Sequence, residues 1–324
     1  MYSWLENPLQ KYLQMRASNR LSHAILLCAP EGIGSGVLAM EFARRFLCLR
    51  DQGEECSCHS CMMLKGAKHP DLTVIGRTGQ SIGVDALRKG INSLVSTPVN
   101  AHGKVLLIKQ ADFMTVQASN ALLKTLEEPA PNILIILTTS NIMSILPTIL
   151  SRTMRIQVNV PSVAELNTFL QRETSSSRDF SMELAVSGMS PLKVLEWIEN
   201  GSDTKLHKCL ELFVNVMLGN GDIRKLAADM EALFKEDSIL LHGFMYALIK
   251  DVMYYQNGVR PENLRILKNE QVLEHLAGID PESLGQAAKK VVMLRGAGVG
   301  PSGIKNSFIN SMQLLCWLER LKGY

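Results

Sequence analysis

The chain has 324 residues, of which 46% are hydrophobic and 20% are charged, a balance typical of folded globular proteins and not of disordered chains. This length predicts about two domains, or three if some are small. Because 34 Lys and Arg residues face 31 Asp and Glu residues, the net charge of +3 does not indicate nucleic-acid binding by bulk electrostatics. Any contact with DNA is therefore expected to be local or shared with partner proteins.

The predicted location of the protein is cytoplasmic. Its first residues lack the basic start and the apolar run of a secretory signal. The longest uncharged stretch, residues 129–151, contains Pro131 and Pro147 and so does not offer the continuous apolar helix that a membrane span needs. We expect this stretch to form a buried strand followed by a turn.

Five short aliphatic runs recur in the first half of the chain, and runs this apolar are typical of strands buried on both faces. They are Ala24–Cys28, Leu72–Ile75, Lys104–Ile108, Ile133–Thr138 and Met154–Val158. Three segments have the apolar spacing of helices: Val37–Leu47, Val84–Leu94 and Thr115–Glu128. The last has the best-defined ends, because Thr115 suits an N-cap and Pro129 stops a helix. Strands alternating with helices predict a parallel α/β sheet with right-handed crossovers.

The strand pattern ends after Pro161, and the rest of the chain is predicted to be helical. Ser162–Asn200 has room for two or three short helices. Longer amphipathic segments follow, and Ser238–Tyr255 carries an apolar stripe on one face, as in a helical bundle. The predicted domains are an α/β domain over residues 1–160, a small helical domain over 161–204 and a helical domain over 205–324.

A glycine-rich loop follows the first predicted strand and precedes a helix, which is the setting of a nucleotide-binding P-loop. A working loop ends in Gly-Lys-Ser/Thr, because the Lys reaches the outer phosphates and the hydroxyl holds magnesium. Here Ser35 and Gly36 stand at those two positions. We therefore interpret the loop, with Gly32, Gly34, Ser35 and Gly36, as a degenerate P-loop that serves as a structural turn.

The residues after the third predicted strand also depart from the pattern of an active ATPase. An ATPase of this layout has two acidic residues there, which bind magnesium and polarise the attacking water. Lys109 and Gln110 occupy the two positions and can do neither. Asp112 comes shortly after them, and a lone Asp at the start of a helical segment indicates a capping or structural residue.

Four of the seven cysteines lie close together, in the pattern Cys48-x7-Cys56-x-Cys58-x2-Cys61. In a reducing compartment such a cluster indicates a metal site before it indicates disulfides. Four thiolates can surround zinc as a tetrahedron, and four protein ligands leave no open position for catalysis. The cluster thus predicts structural zinc, with four free thiols or an oxidisable cluster as the alternative. Iron–sulfur chemistry is compatible with four cysteines but has no other support.

Three motifs together resemble one protein family. They are Arg20-Leu-Ser-His-Ala24, Ser119-Asn-Ala-Leu-Leu-Lys-Thr-Leu-Glu-Glu-Pro129 and Leu146-Pro-Thr-Ile-Leu-Ser-Arg152. The chain is similar to the delta-prime subunits of bacterial DNA polymerase III clamp loaders, in the AAA+ superfamily, most strongly over residues 1–160. The resemblance implies an AAA+ P-loop-type module with an inserted zinc module at about 48–69, a small helical lid and a C-terminal helical collar.

The resemblance also implies a function in DNA replication. Members of this family are stator subunits that do not hydrolyse ATP, within an ATP-driven complex that loads the sliding clamp on primed DNA. The implied partners are gamma/tau-type ATPase subunits and a clamp-opening delta-type subunit, with the clamp and DNA reached through the complex. No functional ATP site and no intrinsic ATPase activity are expected, although such a chain belongs to a DNA polymerase assembly.

One arginine is implied to act on a neighbouring subunit. The family signature Ser-Arg-Cys is Ser151-Arg152-Thr153 here, which keeps the arginine but not the cysteine. The resemblance implies that Arg152 reaches ATP bound next door, where a guanidinium stabilises charge that develops on the transferred phosphoryl group. The alternative is a surface arginine that neutralises a helix C-terminus or pairs with a carboxylate.

The chain departs from the family pattern at the cysteines. The family has Cys-x2-Cys-x2-Cys at the end of the module, and here one spacer residue is missing between Cys56 and Cys58. This leaves open whether His59 or His69 replaces one of these two as a ligand.

Two other functions compete with the stator hypothesis. One is an active AAA+ ATPase, such as the motor subunit of the same loader, which the loop residues and the missing acids count against. The other is a zinc-dependent nucleic-acid-binding module that acts alone. The near-zero net charge and the lack of an aromatic-rich basic stripe count against it.

Overall fold

The computed structural model describes residues 1–50, 56–66, 68–76, 80–100, 103–235 and 237–297. The chain divides into two compact units, the first spanning Met1–Pro161 and the second beginning at Ser162. The boundary falls where the strand pattern ends in the sequence. This division does not test a further boundary at residue 204, so the distinction between a lid and a collar stays a prediction.

Among the described residues of the first unit, five strands form one sheet. They are β1 (Ala24–Cys28), β2 (Leu72–Ile75), β3 (Lys104–Ile108), β4 (Ile133–Thr139) and β5 (Met154–Gln157). Their order in the sheet is β2-β3-β4-β1-β5, and every neighbouring pair is parallel. The predicted α/β fold class is confirmed. Three strands have the predicted bounds, while β4 extends to Thr139 and β5 ends at Gln157.

Helices cover both faces of this sheet. They are α1 (Glu6–Ala17), α2 (Ser35–Leu47), α3 (His59–Lys65), α4 (Val84–Val95), α5 (Val116–Glu127) and α6 (Pro147–Leu150). On one face of β1, Ile25 and Leu27 join a core with residues of α1 and α2. On the other face, Leu26 joins a core with residues of α4 and α5. Because successive strand side chains point to opposite faces, a strand covered on both sides must be apolar throughout.

The ends of α5 agree with the predicted signals. The Thr115 hydroxyl accepts a hydrogen bond from the backbone N–H of Ala118 at 3.1 Å and so caps the first turn. The helix ends at Glu127, two residues before Pro129. Glu127 is thereby placed at the last turn, where its carboxylate pairs with Arg152, two residues beyond the end of α6.

The second unit is helical over its described residues. It contains α7 (Val163–Thr174), α8 (Ser181–Ser187), α9 (Pro191–Asn200), α10 (Ser202–Met217), α11 (Ile223–Leu233), α12 (Ser238–Gln256), α13 (Glu270–Ala277) and α14 (Pro281–Ala297). The apolar stripe predicted on α12 is buried within this unit, with Leu241, Phe244 and Leu248 inaccessible to solvent or nearly so. Of the helices described, none is long and apolar enough to cross a membrane.

Candidate metal centre and candidate interface arginine

The glycine-rich loop connects the carboxyl end of β1 to the start of α2. Gly32 and Gly34 have left-handed backbone conformations, with φ of 72° and 98°, which glycine adopts without steric cost. Gly34 is the N-cap of α2, and Ser35 and Gly36 are its first two residues. The four residues singled out in the sequence therefore lie at one strand-to-helix junction.

The N-terminal segment packs over this loop. A Cβ atom at Gly34 would lie 2.9 Å from Cδ2 of Tyr2, so this position requires glycine both for its backbone and for its surroundings. The indole N–H of Trp4 donates to the carbonyl of Ile33 at 2.8 Å, and the Tyr2 and Trp4 rings stack with centroids 5.1 Å apart. Sequence reasoning missed this contact, because nothing in the local pattern links residues about 30 positions apart.

Lys109 and Gln110 lie at the carboxyl end of β3. The N–H of Lys109 donates to the carbonyl of Ile75 at 2.8 Å, and the N–H of Gln110 donates to the hydroxyl of Thr138 at 3.0 Å. Asp112 follows in a turn of 3-10 helix, where it accepts a hydrogen bond from the Ser140 hydroxyl at 2.8 Å. These contacts connect the ends of neighbouring strands.

The four clustered cysteines converge between α2 and α3. Cys48 directly follows α2, Cys58 is the N-cap of α3, and Cys61 lies in the first turn of that helix. Together with Cys56 they are buried, and their Sγ atoms all lie within 4.8 Å of one another. This group could hold a metal ion.

The distances between the sulfurs suit a tetrahedral thiolate site. Four sulfurs at about 2.3 Å from one zinc ion lie about 3.8 Å from each other. The Sγ of Cys48 lies 3.5 Å from that of Cys56 and 4.0 Å from that of Cys58. All four thiols are free, and a disulfide would need about 2.05 Å. The donor set and its spacing therefore fit zinc.

The two candidate histidines are outside this group. His69 is buried, and its Nδ1 accepts the backbone N–H of Asp71 at 3.1 Å. Its Nε2 must then carry the proton, which it donates to the Ser60 hydroxyl at 2.8 Å, and Ser60 donates to the carbonyl of Leu47 at 2.7 Å. Burial lowers the pKa of His69, which favours this neutral ring. His59 is exposed. The structure therefore groups both Cys56 and Cys58 with the other thiols.

The surroundings of the cluster give its thiols different pKa values even without a metal. Burial opposes ionisation of Cys58, but nearby backbone N–H groups of Cys61 and Leu49 and the neighbouring thiols lower its pKa to about 6. Burial, followed by the thiols of Cys58 and Cys48, raises the pKa of Cys61 to about 12. A first thiolate is thus favoured at Cys58, which is the form in which a cysteine binds metal.

Arg44 contacts the cluster and was missed by sequence reasoning. It lies on α2 one turn before Cys48, and its Nη1 is 3.8 Å from the Sγ of Cys61. Glu41 binds the same guanidinium through both carboxylate oxygens, at 2.6 Å each. The signal in the sequence was the i, i+4 spacing of Arg44 and Cys48, which places two side chains on the same face of a helix.

Arg152 lies at the end of α6, where two of the sequence motifs meet. Its Nη2 is 2.7 Å from Oε1 of Glu127, the last residue of α5. Its Nη1 donates to the carbonyl of Thr148 at 2.9 Å and to the Ser151 hydroxyl at 3.2 Å. The Arg152 side chain remains 35% exposed. The arginine therefore lies at the surface, paired with a carboxylate that is itself half exposed.

Comparisons with known proteins agree with this organisation. A family model described as DNA polymerase III, delta subunit, matches residues 4–162. A DNA polymerase III subunit delta' from Yersinia pestis is 27% identical over 332 residues, which cover 98% of this chain and 95% of that protein. The first unit, over residues 4–162, belongs to this family of DNA polymerase III subunits, and the relatives that the chain resembles are delta' subunits. The match to the delta' subunit of Haemophilus influenzae is 32% identical and spans 62% of each chain, less than two thirds of that relative's length.

Among solved structures, this chain is similar to a DNA polymerase III, gamma subunit-related protein from Thermotoga maritima. The identity is 22% and the TM-score 0.48, with 97% of this chain and 99% of that chain covered. The fold class follows from the chain's own sheet. Five parallel strands with helices on both faces, followed by a helical region, form the parallel α/β fold and the helical remainder that were predicted.

Proposed function

We propose that this chain is a non-hydrolysing stator subunit of the DNA polymerase III clamp loader, and that it supplies Arg152 to ATP bound by a neighbouring subunit. The observation that carries the proposal is a contrast within the first unit. Residues able to act on a bound nucleotide are replaced at the glycine loop, while an arginine with a partly exposed guanidinium remains at the end of α6.

The loop supports the absence of hydrolysis. Ser35 and Gly36 stand where a working P-loop has Lys and Ser/Thr, so neither a charge for the outer phosphates nor a hydroxyl for magnesium is supplied there. Lys109 and Gln110 cannot replace the two acids that bind magnesium and polarise water. Tyr2 packs against Gly34 as well. The loop therefore acts as a structural turn of the AAA+ module.

The pairing of Arg152 with Glu127 is compatible with a role in trans. An ion pair between exposed side chains contributes about 0–1 kcal/mol, because water screens the attraction. Both partners here are partly exposed, so a nearby polyphosphate, with several negative charges, can compete for the guanidinium. Once there, Arg152 would stabilise the charge that develops on the transferred phosphoryl group. Glu127 then serves to keep the side chain ordered in the isolated subunit.

The partners follow from family membership and from this chemistry. We propose that the acceptor of Arg152 is a gamma/tau-type ATPase subunit and that a clamp-opening delta-type subunit binds elsewhere on the chain. The sliding clamp and primed DNA are reached through the assembled complex. This assignment fits a chain whose net charge of +3 does not indicate DNA binding of its own.

We further propose that the cysteine group holds structural zinc, with Cys48, Cys56, Cys58 and Cys61 as its ligands. Zinc would neutralise the thiolates and cross-link the end of α2 to the start of α3. Four protein ligands leave no position for water or substrate, so the ion contributes to folding and not to a reaction.

The proposed transfer of Arg152 is tested with a reconstituted loader that contains either the wild-type chain or Arg152→Ala. With clamp and primed DNA present, we expect the ATPase rate to fall by roughly 10³-fold, the lower range for loss of an arginine finger. Size-exclusion chromatography must show that the complex still assembles. Arg155→Ala is the matched control, because it removes an exposed arginine three residues away and should leave the rate within about twofold.

Two results would contradict the proposal. An unchanged rate with Arg152→Ala in an intact complex would leave the chain a passive scaffold. Appreciable ATP turnover by the isolated chain would instead favour the motor-subunit alternative.

A further inference from the structure

Arg44 has a geometry that its pairing with Glu41 does not explain. Glu41 binds the Nε and Nη2 atoms of the guanidinium, each at 2.6 Å, as in a bidentate arginine–carboxylate pair. The remaining terminal nitrogen, Nη1, donates to the Sγ of Cys61 at 3.8 Å. The pair with Glu41 thus orients the guanidinium so that its other end reaches the thiol cluster.

We propose that Arg44 is a positioning and charge-compensating residue of the four-thiolate centre, and that it slows the loss of the bound metal. The inference rests on the proposed zinc site. A divalent ion with four thiolates retains a net negative charge, and here all four sulfurs are buried. A buried charge needs a partner or hydrogen bonds, because desolvation is costly. Among the described side chains, Arg44 is a cation that contacts one of these sulfurs.

The position of Arg44 on α2 makes the contact specific. One helical turn separates it from Cys48, so the same helix that delivers a ligand also delivers the cation. The side chains of Arg44 and Glu41 are both only 13% exposed, so solvent screens the interaction less than at the surface. An N–H···S bond also stabilises the thiolate anion, so Cys61 is harder to protonate and therefore less readily released as a ligand.

Arg45 provides a matched comparison within the same network. Its Nε binds the same carboxylate, with 2.7 Å to Oε1 of Glu41, and its side chain is 12% exposed. Within the described part of the chain, Arg44 donates to a sulfur of the cluster, whereas Arg45 donates to the carboxylate of Glu41. Loss of either arginine therefore removes one partner of Glu41, but only loss of Arg44 removes the N–H···S bond that the inference concerns.

The test compares the full-length wild-type chain with Arg44→Gln and Arg45→Gln, each purified with zinc. The zinc content is measured by elemental analysis. The transfer of zinc to excess 4-(2-pyridylazo)resorcinol is then followed by absorbance. Outer-shell partners of metal ligands typically change affinity by about 10- to 100-fold. We expect Arg44→Gln to release zinc at least about tenfold faster and Arg45→Gln to stay within about twofold of wild type.

The outcomes separate this inference from the zinc proposal. Wild-type protein with well under one zinc per chain would end both. One zinc per chain, with release from folded Arg44→Gln as slow as from wild type, would overturn the role of Arg44 alone, and equal acceleration in both glutamine variants would do the same.

If Arg44→Gln does not fold, Arg44→Lys serves as a second variant. It keeps the charge but loses the planar fork that Glu41 holds, so release should be intermediate. Release no faster than from wild type would then overturn the inference.

Discussion

Helix α2 joins two sites that differ in what they retain. At the start of α2, the glycine loop has left-handed Gly32 and Gly34, and Ser35 and Gly36 stand where an active P-loop has Lys and Ser/Thr. Just beyond the last residue of α2, Cys48 belongs to a group of four buried thiols that could hold a metal ion. Under the proposed function, the glycine loop serves the fold through its backbone, whereas the proposed zinc site depends on each of its ligands.

This difference has a physical reason. The loop packs against Tyr2 and connects a strand to a helix, and we propose that this packing holds its conformation without a nucleotide. The cysteine cluster places four thiols in a buried space, where four free thiols gain little from proximity. A bound ion would make their convergence strongly favourable. We therefore expect that removing a cysteine of the cluster lowers the free energy of unfolding more than changing a side chain of the glycine loop does.

The largest expected effect is that of Cys61→Ser. It removes one of four ligands and leaves a buried site with weaker metal affinity, so bound zinc should fall to well under one per chain and the first unit should be destabilised by several kcal/mol. Elemental analysis and thermal unfolding measure the two effects. The control is Cys28→Ser, a buried cysteine outside the cluster, which should keep its zinc. Full zinc occupancy in Cys61→Ser would contradict the expectation that metal binding depends on each of the four cysteines.

A smaller effect is expected for Gly34→Ala. The left-handed φ of 98° and the Tyr2 ring at 2.9 Å from the new Cβ should together cost about 1–3 kcal/mol of the free energy of unfolding. Gly36→Ala is the matched control, because its Cβ meets nothing within 4 Å and it lies in α2. That substitution should be neutral or stabilising by up to about 1 kcal/mol. Equal stability of the two variants in urea unfolding would show that the loop conformation is not retained for folding.

The smallest expected effect concerns ATP turnover after the loop residues are changed. The double variant Ser35→Lys, Gly36→Thr restores the loop residues of an active site, yet we expect no measurable ATP turnover by the isolated chain. Lys109 and Gln110 still replace the acids that hold magnesium and position water. Turnover at a rate typical of AAA+ ATPases would mean that the side chains of the loop alone were limiting.

A further test concerns the surface arginine. Glu127→Gln removes the charge that pairs with Arg152 but keeps the shape of the side chain. Because such an exposed pair contributes about 0–1 kcal/mol, we expect the loader's ATPase rate to change by no more than about fivefold, far less than with Arg152→Ala. A loss as large as that of Arg152→Ala would show that Glu127 is required to position the guanidinium.

Much of the first unit could be predicted from local patterns. The apolar runs located β1, β2 and β3 to the residue, because a strand covered on both faces must be apolar at every position. Thr115 and Pro129 defined α5, since capping and helix termination depend on neighbouring residues. The ends of β4 and β5 each differed from the prediction by one residue, because strand ends depend on pairing as well as on composition.

The amino-acid sequence by itself determined the alternation of strands and helices, the residues replaced at the glycine loop and the set of four cysteines. These features are chemical identities or local periodicities, which can be recognised without knowing what packs where. The tertiary structure decided the contacts between distant positions: Tyr2 against Gly34, Arg44 against Cys61, Arg152 with Glu127, and His69 bonded to Ser60 and not grouped with the thiols. Such contacts arise when elements pack together, and no local pattern specifies which side chains will then meet.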